Sequence, residues 1–490
     1  MADFSCDIGL YGLAVMGQNF ALNMASHGFK VAVCNRSPAK VTETVERAAA
    51  EGNLPLLGFK DVPQFVASLK KPRMIVILVM AGKPVDDTID ILAASMEAGD
   101  IIIDGGNEWF PNSIRRSMSL MQKGIHFIGM GISGGEEGAR NGPSLMPGGP
   151  KEAFDAIEPI MSKCAAQVDD GPCTTYLGPI GSGNYVKMVH NGIEYADMQL
   201  IAEMYDVLKH AAGLSNNELA QTFAEWNSGE LESFLIEITA VICGKKDDLA
   251  DDGFLLDKIL DKTGMKGTGR WTVQEAAERS VAAPTIAAAL DTRYLSGRKA
   301  ERVTASTLLR GPVEIPNVEK SQIIEDCKHA LFCAKICSYA QGMCLIKAAS
   351  DEFSWGVDLG ECARIWKGGC IIRAGFLDRI KEAFVRDPEL PNLMVDPDFT
   401  SELNRRMLSW RRIVSLCVAC GICCPAMSSA LNYFDAYRRE RLPANMTQAQ
   451  RDFFGGHTFE RTDRTGGFHA RWTSAHKDIG DVATRTAGNV

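Results

Sequence analysis

CDIGLYGLAVMGQNFALNMASHG, Cys6 to Gly28, reads as strand, tight turn and helix in direct succession. The apolar run Cys6 to Gly12 is a buried strand, Gly12-Leu13-Ala14-Val15-Met16-Gly17 is the turn, and an amphipathic helix follows to Gly28. Glycines at such a turn let the backbone approach a pyrophosphate, whose charge is stabilised by the free N–H groups of the helix start. The middle position of the fingerprint is Ala14, not glycine. A second strand, Lys30 to Cys34, runs into Asn35-Arg36-Ser37. About 20 residues after the turn, NAD-binding folds place a carboxylate for the ribose 2′-hydroxyl. This chain offers Arg36 there, which suits a 2′-phosphate, so NADP is expected in preference to NAD; the alternative is a plain surface arginine.

The runs Met74 to Val79 and Ile101 to Asp104 are rich in Ile and Val, as strands buried on both faces of a parallel sheet should be. Val79-Met80-Ala81 and Gly105-Gly106-Asn107 fall at their carboxyl ends, the edge where doubly wound sheets bind ligands. Asn107 is placed to meet both cofactor and substrate. His126 to Gly131 continues the sheet into Ser133-Gly134-Gly135, a stretch suited to wrapping a ligand. Pro147-Gly148-Gly149 fits the same use, or plain turn chemistry.

A second decisive stretch is GPIGSGNYVKMVHNGIEYAD, Gly178 to Asp197. As a helix it carries Lys187, His190, Asn191 and Glu194 on one face, because spacings of three, four and seven close about two turns. Lys187 and Glu194 then stand about 10 Å apart along one wall. Val186, Val189, Ile193 and Ala196 make the other, apolar face. The same spacing also suits an ordinary core helix with a solvated lysine and glutamate.

At 490 residues the chain exceeds one typical domain, and 46% hydrophobic with 23% charged residues is a soluble globular composition. The net charge of −9 argues against a non-specific nucleic-acid binder, so cations for an anionic ligand must be local. Fifteen scattered cysteines read as reduced thiols in a cytoplasmic setting. No apolar run approaches the roughly 20 residues that span a bilayer. The expected architecture is α/β: an N-terminal Rossmann-like dinucleotide-binding domain over 1–180, a large all-α domain over 181–439, and a C-terminal tail over 440–490. Within the helical part, Lys266 lies in the glycine-rich MKGTGRW, and Arg293 follows. Cys417, Cys420, Cys423 and Cys424 imitate the start of an iron–sulfur motif, but Cys424 adjoins Cys423 where that pattern needs three intervening residues. They are read as buried thiols, and no metal is expected. The tail is polar, and its Phe453, Phe454 and Phe459 look buried, as if part of it docks.

Taken together, GLAVMGQN, DGGNEW, SGGEEGARNGPSLMPGG, YVKMVHNGIEYADMQL, KGTGRW and QAQRDFFGGHTFERTD resemble the decarboxylating 6-phosphogluconate dehydrogenase family over essentially the whole length. The resemblance implies NADP-dependent oxidation of 6-phosphogluconate with loss of carbon dioxide. It implies that Lys187 is the general base and Glu194 the acid. It also implies substrate contacts at Asn107, Ser133, Gly134, Gly135, His190, Asn191, Tyr195, Lys266 and Arg293. Arg451 and His457 would come from the neighbouring subunit's tail, making a homodimer. Gly12 to Gly17, Asn35 to Ser37 and Val79 to Ala81 match the cofactor site. Met80 departs from the polar residue frequent in relatives, and Arg270 from a frequent lysine. The other readings are a related β-hydroxyacid dehydrogenase without decarboxylation, and a non-catalytic NADP-binding regulator.

Overall fold

The computed structural model describes residues 5–250, 252–265, 267–312 and 318–473. Its chain divides into two compact units, Met1–Leu431 and Asn432–Val490. In the first, short apolar runs form strands β1 (Ile8–Tyr11), β2 (Val31–Cys34), β3 (Leu56–Phe59), β4 (Met74–Ile77), β5 (Ile101–Asp104), β6 (His126–Ile132) and β7 (Leu145–Gly148). They build one sheet in the order β3-β2-β1-β4-β5-β6-β7. β1 to β6 are parallel, and β7 runs antiparallel to β6. Alternate residues explain why these runs read as continuously apolar. Leu10, Val33, Val76 and Ile103 face one core with Phe20, while Tyr11, Ala32, Ile75 and Ile102 face another with Phe65. The strand order reverses between β1 and β4, so the glycine turn sits at the crevice where such sheets take ligands. There Leu78 N–H donates to Tyr11 O at 2.9 Å and Gly12 N–H to Cys34 O at 3.2 Å.

Pro147 and Gly148 are not a turn. They belong to β7, where Pro147 pairs with Met130 and Gly148 with Gly129. An edge strand tolerates a proline because no ladder donor is required on its outer side. The glycines here serve close packing instead. Helix Ser182–His210, the central helix, lies over β6 and β7 with Gly183 against Gly148 and the carbonyls of Gly129 and Met146. Side chains at these positions would hold the helix off the sheet.

The expected division of the central helix into one apolar and one reactive face is too simple. From Ser182 to Asp197 it is buried all round apart from a partly buried Glu194. On one side Gly342 of helix Lys320–Phe353 meets Val189 and Ile193. On another, Thr272 of helix Thr268–Glu278 donates to Met188 O at 2.8 Å. One turn beyond Glu194, Asp197 accepts two bonds of 2.6 Å from Lys335, both residues being buried. This paired charge fixes the rotation of the helix about its axis.

The second unit is built around a buried carboxylate. Asp452, in helix Ala444–Gly455, accepts from Thr458 N at 2.9 Å, Ala470 N at 3.1 Å and Trp472 Nε1 at 2.7 Å, and holds His469 Nδ1 at 2.8 Å. Phe459–Glu460 pairs antiparallel with Gly467–Phe468. Phe453 and Phe454, expected to be buried, are 46% and 73% exposed. Asp452 takes the inward position of that helix, and the next two residues rotate by about 100° each toward solvent.

Candidate active site

Gly12 adopts φ +106°, and a side chain there would press on the Leu78 carbonyl. Its neighbour Leu13 N–H donates to Asn35 Oδ1 at 3.0 Å, so the polar residue after β2 ties the turn in place. Helix Val15–Ser26 starts at Ala14 with no side-chain cap, leaving its first N–H groups for an anion. Arg36 is exposed and makes no hydrogen bond or ion pair among the described residues. A glycine cradle, an uncapped helix start and a free cation together fit a pyrophosphate and a 2′-phosphate. Met16 and Gly17 open the helix, Gly17 packed against the Gly12 carbonyl, while Ser37 starts the next helix and its carbonyl accepts from Asn35 Nδ2 at 3.2 Å. Val15 and Met80, 56% and 76% exposed, flank the turn as apolar surface, with Val79 and Ala81 half-buried beside them.

Within the central helix the four polar residues are set by different neighbours. Lys187 is 5% exposed, its stem lying on Gly131 of β6. Burial pulls its ammonium pKa below the usual value, against the raising effect of the Glu194 charge. Burial pushes the Glu194 carboxyl up, against the charges of Lys187 and Arg293. Burial thus shifts the amine toward its neutral form and the carboxyl toward its protonated form on one helix, two turns apart. His190 is fully buried, and burial followed by the Lys187 charge drives its pKa well down. Its neutral ring has Nδ1 3.2 Å from Asn191 Oδ1 and Nε2 3.5 Å from Ser133 Oγ. Asn191 Oδ1 can only accept, so Nδ1 carries the proton and Nε2 accepts from Ser133. Asn191 Nδ2 donates in turn to Thr268 Oγ1 at 3.1 Å.

Arg293 stacks 3.5 Å above the Tyr195 ring and donates to Gly264 O at 3.3 Å. Its charge also reaches Glu194. Ser133, Gly134 and Gly135 lead from β6 into the short helix Gly135–Asn141, with Gly134 left-handed at φ +103°. The structure therefore brings Ser133, Lys187, His190, Asn191, Glu194, Tyr195 and Arg293 into one connected group. Asn107 is exposed on the loop after β5, without a hydrogen bond among the described residues. Lys266 lies outside the described residues. In the second unit Arg451 and His457 are exposed; Arg451 donates to Gln448 Oε1 at 3.1 Å, and the His457 ring is 6.1 Å from Phe454.

Sequence reasoning missed the support beneath the two cofactor loops. Arg116, 2% exposed, donates to Glu108 at 2.6 Å, Asp86 at 2.8 Å and the Gly82 carbonyl at 2.9 Å. Glu108 accepts from Gly82 N–H at 2.8 Å. The loops after β4 and β5 are thereby clamped together. The only signal was a glutamate directly after Gly106-Asn107. Next to it Asp104 is fully buried, and burial raises its carboxyl to about 6. Thr268, which holds Asn191, was also missed, although KGTGRW contains it.

Known proteins resemble this chain throughout. The NAD binding domain of 6-phosphogluconate dehydrogenase matches residues 7–178, and the 6-phosphogluconate dehydrogenase C-terminal domain matches 183–472. A relative from Spinacia oleracea, 6-phosphogluconate dehydrogenase, decarboxylating 1, is 63% identical over 470 residues, covering 95% of this chain and 97% of its own. The Synechococcus elongatus enzyme of the same name without a number is 55% identical, covering 95% and 98%. A solved structure of Plasmodium falciparum 6-phosphogluconate dehydrogenase, described apo, with NADP+ and with 6-phosphogluconate, superposes with a TM-score of 0.92. It is 49% identical, with 95% of this chain and all of the other covered. The chain belongs to the 6-phosphogluconate dehydrogenase family.

Proposed function

We propose that this chain catalyses the NADP-dependent oxidative decarboxylation of 6-phosphogluconate to ribulose 5-phosphate, carbon dioxide and NADPH, in the oxidative pentose phosphate pathway. The observation that carries this reading is the pairing of Lys187 and Glu194 on one buried helix, with burial disfavouring the charge of each. NADP, when bound, supplies the hydride acceptor. Neutral Lys187 takes the C3 hydroxyl proton and returns it to the carbonyl oxygen as the β-keto acid loses its C1 carboxylate. Protonated Glu194 then delivers a proton to C1 of the enediol. His190, held neutral between Ser133 and Asn191, and Asn107 orient the hydroxyls. Ser133, Gly134, Gly135, Asn191 and Tyr195 contact the substrate, whose phosphate and carboxylate ends need separate cations, which Arg293, Lys266 and Arg451 supply. Gly12 to Gly17, Asn35 to Ser37 and Val79 to Ala81 hold NADP.

In this reading residues 1–180 bind the cofactor, 181–439 shape the substrate cleft and the subunit contact, and 440–490 reach the neighbouring site of a homodimer. The exposure of Arg451 and His457 supports that delivery. We place the enzyme in the cytoplasm. All fifteen cysteines are free, which suits a reducing compartment, and among the described residues no helix is long and apolar enough to cross a membrane. Some relatives, including one from Arabidopsis thaliana, are named chloroplastic, so fractionation against a plastid marker tests the compartment. For the reaction, purified protein is given 6-phosphogluconate and NADP. Equal yields of NADPH and carbon dioxide are expected, and the absence of either overturns the assignment.

A further inference from the structure

The loop that carries Asn107 is held on both sides by carboxylates. After it, Glu108 accepts from Gly82 N–H at 2.8 Å and from Arg116 at 2.6 Å. Before it, Gly106 N–H donates to Asp104 Oδ1 at 3.0 Å. Asp104 ends β5, and Gly105 next to it still bonds the sheet, donating to Ile77 O at 2.9 Å. Asn107 itself is exposed and makes no hydrogen bond among the described residues. Asp104 is fully buried, and the bond from Gly106 is its side chain's one hydrogen bond among the described residues. Its Oδ2 has no hydrogen-bond partner, and Arg116 Nη1 stands 3.7 Å from it. Arg116 is engaged instead by Glu108, Asp86 and the Gly82 carbonyl. As packing alone this carboxylate is a poor choice, because burial disfavours its charge and two other carboxylates hold the neighbouring arginine. An apolar side chain of the same shape would pack at least as well. What the carboxylate adds is an acceptor for Gly106 N–H, in a pair of glycines whose backbone is otherwise free to turn.

We propose that Asp104 is a positioning residue for the reaction: by fixing Gly106 N–H it sets the direction in which the chain leaves the sheet, and so the place of the Asn107 amide between cofactor and substrate. Asn107 holds that place in the function proposed above, on which this role of Asp104 rests. Without the acceptor, the peptide between Gly105 and Gly106 is free to rotate, and Asn107 moves with it. Glu108 cannot prevent this, because its bonds fix the loop only beyond Asn107. The cofactor's phosphates are held elsewhere, at the glycine turn and Arg36, so loss of the acceptor acts on turnover and spares NADP binding.

The full-length protein is compared with Asp104→Leu, which keeps the branched shape and removes both oxygens, and with Asp104→Asn, whose amide oxygen still accepts from Gly106. Steady-state NADPH formation from 6-phosphogluconate is measured alongside NADP affinity by fluorescence titration. Asp104→Leu should lower kcat about 10- to 100-fold, as a misplacement of about 1 Å does, with NADP affinity within about threefold of wild type. Asp104→Asn should bring kcat back to within about threefold, since a neutral acceptor replaces a charged one. Asp104→Leu with kcat within about twofold of wild type overturns the proposal. So does failure of Asp104→Asn to restore turnover, or a loss of NADP affinity as large as the loss of kcat, which marks a general structural role. Should the leucine not fold, Asp104→Ala, which leaves the space open, is read by the same outcomes. A wild-type protein that forms no NADPH refutes instead the function on which this role rests.

Discussion

Gly183→Ala tests whether the central helix must touch the sheet for chemistry to occur. A Cβ at 183 would stand 2.6 Å from Gly148 N and closer still to the carbonyls of Gly129 and Met146, whereas ordinary contact begins at 3.4 Å. All of these neighbours are backbone, so the helix itself must lift by about 1.2 Å, the difference between 3.4 Å and the 2.2 Å to the Gly129 carbonyl oxygen. Overpacking of this kind costs about 1–3 kcal/mol, and the gain in helix propensity from Gly to Ala returns about 1 kcal/mol. The net loss of stability is therefore small, about 0–2 kcal/mol. The effect on turnover is not small. Lys187 sits one turn along, and a misplacement of about 1 Å at a reacting group costs about 100-fold. Steady-state NADPH formation should show kcat down about 100-fold with a melting point lowered by a few degrees, while NADP affinity at the distant glycine turn stays the same. Gly244→Ala is the control, since its Cβ would meet only Ala220 at 3.5 Å. If Gly183→Ala keeps kcat within twofold, the helix–sheet contact does not position Lys187.

Glu194→Gln removes the proton donor, so kcat should fall about 100- to 10,000-fold. The wild-type profile of kcat/KM should fall on the acid side as Lys187 gains a proton, below the ordinary lysine range, and on the alkaline side as Glu194 loses one, above the ordinary glutamate range. The variant should lose the alkaline limb alone, which a pH series of initial rates reads. Arg36→Glu should weaken NADP about 10- to 100-fold while leaving NAD little changed, as expected for loss of a charge-assisted bond and measured by fluorescence titration of both cofactors. Equal losses would remove the 2′-phosphate assignment. Arg116→Met leaves Glu108 buried without its cation and should destabilise the fold by about 3–5 kcal/mol, read as a lowered thermal transition. An unchanged transition would mean that Glu108 is satisfied by its other partners.

The parts of this molecule that repeat a local rule were legible before any coordinates. The turn Gly12 to Gly17 declared itself because a tight turn, an uncapped helix and the following strand are all local events. The face shared by Lys187, His190, Asn191 and Glu194 followed from helical spacing alone. Long-range packing was not legible. Pro147 and Gly148 carry turn residues into a buried strand, because the descending Gly183 needs bare backbone beneath it. Whether the central helix is solvated or buried depends on Gly131, Gly342 and Thr272, which come from three separate parts of the chain. The clamp of Arg116 on Glu108 joins two loops that sequence reading treated one at a time. Phe453 and Phe454 look like core residues by type, yet Asp452 occupies the inward position.

The account turns on Lys187 being the base that takes the proton as hydride leaves. Lys187→Met keeps the length and burial of the side chain and removes the amine. Stopped-flow absorbance of NADPH in a single turnover, with 6-phosphogluconate and NADP both saturating, should show hydride transfer slowed about 100- to 10,000-fold, with NADP binding unaltered. Hydride transfer at the wild-type rate in that variant would contradict the account.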